Sequence, residues 1–407
     1  MPTEQTSRRD FLHAAAATGL FSLLPFESSL GYAANDTINV ACLGTGGRCR
    51  QLMTRFPQFP NVRIVAVSDI WDVHLAEGKK LADANAVMEK DFRKLLDRKD
   101  IDAVLIGAPD HWHVPMTIAA CQAGKDVYVE KPLTHDLSEG KAVIAAKNES
   151  KRIVQVGTQQ RSMPHFQAAH EIIKSGKIGE IHKVHLTWNR NGDRVRKRPL
   201  NIDPKTVDWK AFLGSAREQP YDEYRFRNWR WFWDFGGGIL TDLMVHFIDV
   251  AHWFLDLDHP LVATTIGDNF ASKDVWETPD TTQCLLKYEN GLQVYFEGTF
   301  VNARNGAMLE FMGSEATLYL DRGRYELIPE RRSNLKPEEM ILGTGPRGAD
   351  FYAKPDGETL HLSNWLECVR TRKQPNAPVE AGVSAASAAH LGNLALRANQ
   401  VTNWPGN

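Results

Sequence analysis

The sequence predicts a chain in two parts. An amino-terminal α/β domain built on a doubly wound parallel sheet comes first, and an α+β domain with a large, mostly antiparallel open sheet follows. Three observations predict this. Short apolar, β-rich runs alternate with helical stretches through residues 37–158, which implies crossover connections and a parallel sheet. From about residue 181 the apolar period shifts to two, as in strands with one covered face. The length of 407 residues also exceeds one core, at roughly 150 residues per domain.

Composition excludes several classes of function. Hydrophobic residues are 43% and charged residues 24% of the chain, an ordinary globular balance that rules out a disordered or low-complexity protein. Lys and Arg number 48 against 50 Asp and Glu, a net charge of −2, so nothing drives binding to a phosphate backbone and no nucleic-acid partner is expected. Cys42, Cys49, Cys121, Cys284 and Cys368 are scattered, odd in number and without CxxC spacing, so neither a disulfide framework nor a metal site is expected.

The first residues read as an address. Ser7-Arg8-Arg9-Asp10-Phe11-Leu12 precedes an apolar run over 14–24 that is too short to span a bilayer. Gly31-Tyr32-Ala33 offers small residues where a signal peptidase reads, which predicts cleavage after Ala33. The paired arginines resemble a twin-arginine export signal. That implies passage through the twin-arginine machinery and a periplasmic or secreted mature protein. No later segment is apolar enough for stable membrane insertion.

The first strand, 38–43, ends in Gly44-Thr45-Gly46-Gly47-Arg48-Cys49, and a helical pattern follows through Leu52 and Phe56. Strand, glycine turn and helix make the setting of a phosphate-cradling loop. Gly44 permits the tight turn, and Gly46 lets the backbone approach a pyrophosphate. Cys49 stands where GxGxxG has its third glycine, which normally serves close helix–strand packing. The apolar run 63–68 ends at Asp69, close to the spacing at which a carboxylate meets the adenine ribose hydroxyls and repels a 2′-phosphate, favouring NAD over NADP. A strand-end Asp that only caps a helix is the structural alternative. Further strands at 103–107, 127–129 and 153–156 end in Ala108-Pro109-Asp110-His111-Trp112-His113, Glu130-Lys131-Pro132 and Gly157-Thr158-Gln159-Gln160-Arg161. These are Rossmann-type strand ends, beyond which ligands bind.

In the second half, 181–188, 283–288 and 292–297 alternate with period two. The last two flank Glu289-Asn290-Gly291, a hairpin signal. Segments 307–312 and 316–321 read as a second hairpin, and 382–398 as a helix. Between them lies Asn228-Trp229-Arg230-Trp231-Phe232-Trp233-Asp234-Phe235, then Gly236-Gly237-Gly238. Aromatic faces such as Trp231 suit stacking on the C–H face of a sugar, or core packing. A helix starts near Thr241 and carries Asp242, His246 and Asp249 at i, i+4 and i+7, on one face. Asp242 lies one turn from His246 and is placed to orient its imidazole as a base. A helix-dipole acid and a core histidine are the alternatives.

The glycine turn, Pro-Asp-x-x-His over 109–113, Gly-Lys-x-Val-x-x-Glu-Lys-Pro over 124–132 and the strand after it together resemble the Gfo/Idh/MocA family. That family contains glucose–fructose oxidoreductases, inositol dehydrogenases and relatives. The resemblance covers essentially everything after residue 33. It departs at Cys49 and at Ala108, where Thr is common. It implies an NAD-binding domain over 37–158 and a substrate and oligomerisation domain over 159–400. It also implies a catalytic set of Lys131, Asp242 and His246. Cofactor contacts would come from Gly44, Gly46, Gly47, Arg48, Asp69, Pro109, His113, Glu130, Lys131 and Gln159. Substrate contacts would come from Arg161, Trp231, Asp242 and His246.

The implied reaction is hydride transfer from a saccharide or polyol hydroxyl to NAD in a homo-oligomeric enzyme. Lys131 and His246 are exchangeable as proton acceptor and oxyanion partner. Outside the cytoplasm no free NAD pool exists, so the cofactor would be tightly held and recycled within each turnover. A redox-neutral glycosidase or epimerase working through a transient keto-sugar is the alternative. A non-catalytic NAD- and sugar-binding protein is the lesser one.

Overall fold

The apolar runs of the first half become a six-stranded parallel sheet, in the computed structural model that describes residues 37–192, 199–349 and 356–405. The export signal expected within 1–33 lies outside the described residues. The strands are β1 (Ile38–Leu43), β2 (Val62–Ser68), β3 (Val87–Glu89), β4 (Ala103–Ile106), β5 (Asp126–Val129) and β6 (Val154–Val156). Their order is β3-β2-β1-β4-β5-β6. The crossover direction reverses between β1 and β4, where a doubly wound sheet opens its ligand crevice. Strands β1, β4 and β5 are buried on both faces, which is why they read as continuous apolar runs and not as alternations. The short β3 is mostly exposed, although Val87 and Met88 are apolar, and its three residues are too few to show a strand period.

The second sheet has nine strands: β7 (Ile181–Asn189), β8 (Val262–Asp268), β9 (Thr281–Lys287), β10 (Gln293–Thr299), β11 (Ala307–Gly313), β12 (Ala316–Asp321), β13 (Arg324–Pro329), β14 (Glu338–Ile341) and β15 (Thr402–Asn403). Neighbours are antiparallel except β7 and β10, which run parallel. Alternate residues such as Val184, Leu186 and Trp188 point into one large core beneath helices Pro164–Lys174 and Val245–Leu255. The β9–β10 hairpin turns at Asn290 and Gly291, both at positive φ (58° and 79°), as Asn-Gly predicts. The 307–321 hairpin is formed as well.

Two expectations are corrected. The boundary at 159 makes everything after it one domain, but helix Gly357–Thr371 returns to the first sheet. Its Leu362, Trp365 and Leu366 pack with Val40, Leu105 and Tyr128. A parallel sheet needs helices on both faces, and here the carboxyl-terminal part of the chain supplies one. Helix Val379–Ala398 then bridges the two cores, with Val379 in the first and Ala385, Ala388 and Leu391 in the second. The second correction concerns the helix expected from Thr241. It begins with a π-helical turn, Leu240–Met244, before the α-helix Val245–Leu255. A π turn holds one extra residue, and Asp242 sits in it.

Candidate active site

Two adjoining cavities of about 640 and 700 Å3 open along the carboxyl ends of β1, β2, β4 and β5. The first is the groove beside the glycine loop. Gly44 has φ +74°, and a Cβ there would lie 2.7 Å from the backbone of Ala108, so the turn after β1 abuts the turn after β4. Only glycine meets both demands. The third glycine of the loop motif is absent because its job is done from the other side. A Cβ on Gly107 would come within 2.7 Å of the Cys49 Cβ, so Gly107 yields the space that Cys49 takes. Gly46, Gly47, Asp69 and Pro109 all line this groove. Asp69 Oδ1 accepts the Trp71 N–H at 2.9 Å, and Oδ2 lies 3.6 Å from His74 Nδ1. Glycine backbone beside a strand-end carboxylate fits a dinucleotide: nothing but hydrogen projects where a diphosphate would run, and the acid stands where a ribose diol would bond.

The second cavity is the cleft between the sheets. Lys131, at the end of β5, reaches across it. Its Nζ donates to Asp242 Oδ1 at 2.8 Å and to the Asp242 carbonyl at 2.6 Å. Arg230 Nε donates to the same Oδ1 at 3.2 Å. Burial alone would push the Asp242 carboxyl up. The Lys131 and Arg230 cations outweigh burial and hold it well below the usual carboxylate range. His246 lines the cleft, and its ring stacks on Trp188 with centroids 5.1 Å apart. Burial first, then the Lys131 ammonium and the Arg322 guanidinium, drives its pKa well below the ordinary value, so the imidazole is neutral. Glu130 accepts from Arg48 Nε at 2.8 Å, and Arg48 also reaches Glu358 at 3.2 Å. This chain of charges ties the glycine loop, β5 and helix Gly357–Thr371 together. Gln159 borders the cleft with its Oε1 buried and without a partner among the described residues.

Several expected roles change. Asp242 does not orient His246; its carboxylate is taken by Lys131 and Arg230, and His246 Nδ1 has no partner among the described residues. The π turn breaks the simple i, i+4 geometry that the spacing implies. Asp249 is separated from both and pairs with Arg161 in the interior, at 2.8 Å, so Arg161 is a core ion pair and not a substrate contact. Trp231 lines the cleft but is only 3% exposed, and it stacks face to face on Trp276 at 4.3 Å, so packing takes one of its faces. Trp229 lines both cavities, with Arg230 over its ring at 4.1 Å. His113 borders the cleft, but its two ring nitrogens face the carbonyls of Pro132 and Ala108 at 2.6 and 2.8 Å. Its ring braces the Lys131 loop.

Four residues of the cleft escape the sequence reading. Asp110 lines it, and burial raises its carboxyl well above the ordinary range against the pull of Arg230 and Lys131. Its signal was present, in the Pro-Asp-x-x-His string. Trp188, Arg230 and Glu358 carry none: an alternating strand, an aromatic-rich loop and a distant helix do not announce a shared cleft.

Comparison with known proteins agrees with this architecture. Residues 38–158 match the oxidoreductase family profile described as an NAD-binding Rossmann fold, and residues 166–319 match the GFO/IDH/MocA carboxyl-terminal domain. The chain belongs to the Gfo/Idh/MocA family of oxidoreductases. It is 26% identical over 366 residues to the uncharacterised oxidoreductase YrbE of Bacillus subtilis, covering 87% of this chain and 93% of that one. It is 26% identical over 275 residues to an inositol 2-dehydrogenase of Azotobacter vinelandii, covering 66% and 69%. A levoglucosan dehydrogenase solved with NADH and levoglucosan superimposes with a TM-score of 0.70 over 91% of this chain and 100% of its own, at 18% identity.

Proposed function

We propose that the protein oxidises a secondary hydroxyl of a saccharide or cyclic polyol, using NAD in preference to NADP. One observation carries the reading: Lys131 and the neutral imidazole of His246 line the same cleft, next to the groove of the glycine loop. A nicotinamide ring held at their junction would supply the hydride acceptor. The chain then has two tasks. His246, unprotonated at neutral pH, takes the hydroxyl proton. Lys131, fixed by Asp242, presents its ammonium to the oxygen as negative charge develops there. The tie to Asp242 favours this division over the reverse. Asp69 in the groove wall supports NAD, because its carboxylate would repel a 2′-phosphate.

The paired arginines near the amino terminus support export of the folded protein. The reading therefore includes a cofactor loaded before export, retained, and returned to its starting state within each turnover. A homo-oligomer is part of the same proposal.

The test is direct. The purified protein is denatured and the supernatant assayed for NAD(H) and NADP(H). The intact protein is then offered a panel of sugars and polyols while the absorbance of reduced nicotinamide is followed. Released NAD and reduction by a polyol are expected. Bound dinucleotide that no polyol reduces would leave a binding protein. Reduction that reverses unaided, with a glycosidic bond broken or a centre inverted, would identify the redox-neutral alternative.

A further inference from the structure

The dinucleotide groove is closed by the second domain. Asp208, Lys210, Phe212 and Gly214 wall it opposite the glycine loop. The Asp208 N–H donates to the Ile70 carbonyl, one residue beyond Asp69. Trp112 Nε1 donates to the Phe212 carbonyl at 3.0 Å. The short helix Glu223–Arg227 docks beside this wall: Phe226 meets Trp71 edge to face at 5.5 Å. That helix is itself pinned. The Asp222 carboxylate accepts from the Tyr224 and Arg225 N–H groups, and the Glu223 carboxylate from those of Leu200 and Ile202.

Six residues line both cavities: Arg48, Gly107, Ala108, Arg227, Trp229 and Arg230. A ligand that spans the two must pass this shared wall. Three of the six are arginines, and two are committed, Arg48 to Glu130 and Glu358 and Arg230 to Asp242. Nearby Arg225 is also matched, by Asp234 and Glu277. The Arg227 side chain has no hydrogen bond or ion pair among the described residues. Burial, and then the like charges of Arg230 and Arg50, work against its own charge. Arg50 meanwhile holds the Thr45 carbonyl of the glycine loop at 2.7 Å. Guanidinium groups thus crowd the point where the cavities meet, and among the described residues no carboxylate answers Arg227.

We infer that Arg227 is a diphosphate clamp, closing on the dinucleotide from the second domain and slowing its release. The inference rests on the dinucleotide reading above and names the residue that would give retention. An Arg–phosphate contact is bidentate and charge-assisted, and a dianionic bridge there would relieve the crowding of like charges.

Binding of adenosine, ADP and NAD to the full-length protein, stripped of ligand, separates the outcomes, together with the rate at which bound NAD exchanges. In Arg227→Gln, ADP and NAD should weaken about tenfold or more while adenosine is unchanged, and NAD should exchange correspondingly faster. Arg227→Lys should recover part of both. Because the Arg227 side chain has no partner among the described residues and faces like charges, the ligand-free variant should melt no lower than the parent. Equal ADP affinity in parent and Arg227→Gln overturns the clamp alone. A parent that binds none of the three ligands overturns the dinucleotide reading and the clamp with it.

Discussion

Lys131 donates to both the carboxylate and the carbonyl of Asp242, at 2.8 and 2.6 Å, while His246, four residues on, receives nothing from that carboxylate. The acid at the head of the second domain's buried helix thus serves the lysine of the first domain. The side chains of the pair are only about a tenth exposed, at 10% and 11%, so their charges depend on each other. Asp242→Asn would leave Lys131 and Arg230 facing one another without the carboxylate they share. A loss of about 3 kcal/mol in urea unfolding is expected, with a fall in turnover as the ammonium loses its anchor. A variant of parental stability would show that the cations do not need Asp242.

His246→Asn should separate chemistry from folding. The Nδ1 atom of the parent is buried without a partner among the described residues, so the ring contributes little hydrogen bonding to stability. Turnover should fall at least about a hundredfold for a lost general base, with dinucleotide still bound. Because burial and nearby cations push the His246 pKa well below 6.5, the acid limb of kcat/KM in the parent should lie below that pH. A limb at or above 6.5 would assign the proton to another group.

How much of this was legible in the sequence differs between the two halves. The parallel sheet was, because strands buried on both faces leave uninterrupted apolar runs and their polar ends mark the crevice. Lys131, Asp69 and the glycine loop were placed by that logic. The second domain was harder to read. Its strands showed their alternation, but the partnerships that build the cleft join residues far apart in the chain, such as Arg48 with Glu358. Nor does spacing reveal a π turn. The i, i+4, i+7 pattern of Asp242, His246 and Asp249 implied one shared face, yet the three side chains went to a lysine, an indole and a buried arginine. Nor does an aromatic cluster announce its division of labour: Trp231 both lines the cleft and packs on Trp276.

Acid should unfold the protein through its buried histidines. His252 lies between Ser384 Oγ and Tyr288 Oη, each at 2.6 Å. Burial, then Arg161 and His259, pushes its pKa down to about 3, against about 6.5 in an unfolded chain. Between those values the unfolded chain holds a proton that the folded one refuses. The contribution is complete above pH 6.5 and is lost as pH falls, by up to about 1.4 kcal/mol per unit for each such histidine. His361 and His390, each at about 4, act in the same direction. Urea midpoints from pH 7 to 4.5 should fall steeply, and His252→Gln should flatten the slope by up to one proton. A variant with the parental slope would mean that His252 does not titrate on unfolding.

The strongest contrast between a site residue and a core residue lies at Arg161. Its Nε donates to both Asp249 oxygens, at 3.0 and 2.8 Å, and its guanidinium lies over Trp253 at 5.4 Å. Asp249 is fully buried, and burial raises its carboxyl against the pull of Arg161. Removing the cation strands that carboxylate. Arg161→Met should therefore destabilise by about 3–5 kcal/mol, and adding Asp249→Asn in the same chain should recover part of the loss, since no buried charge then lacks a partner. In protein that stays folded, KM for the best polyol should be unchanged. A residue that held substrate would behave in the opposite way, raising KM while leaving the unfolding midpoint where it was.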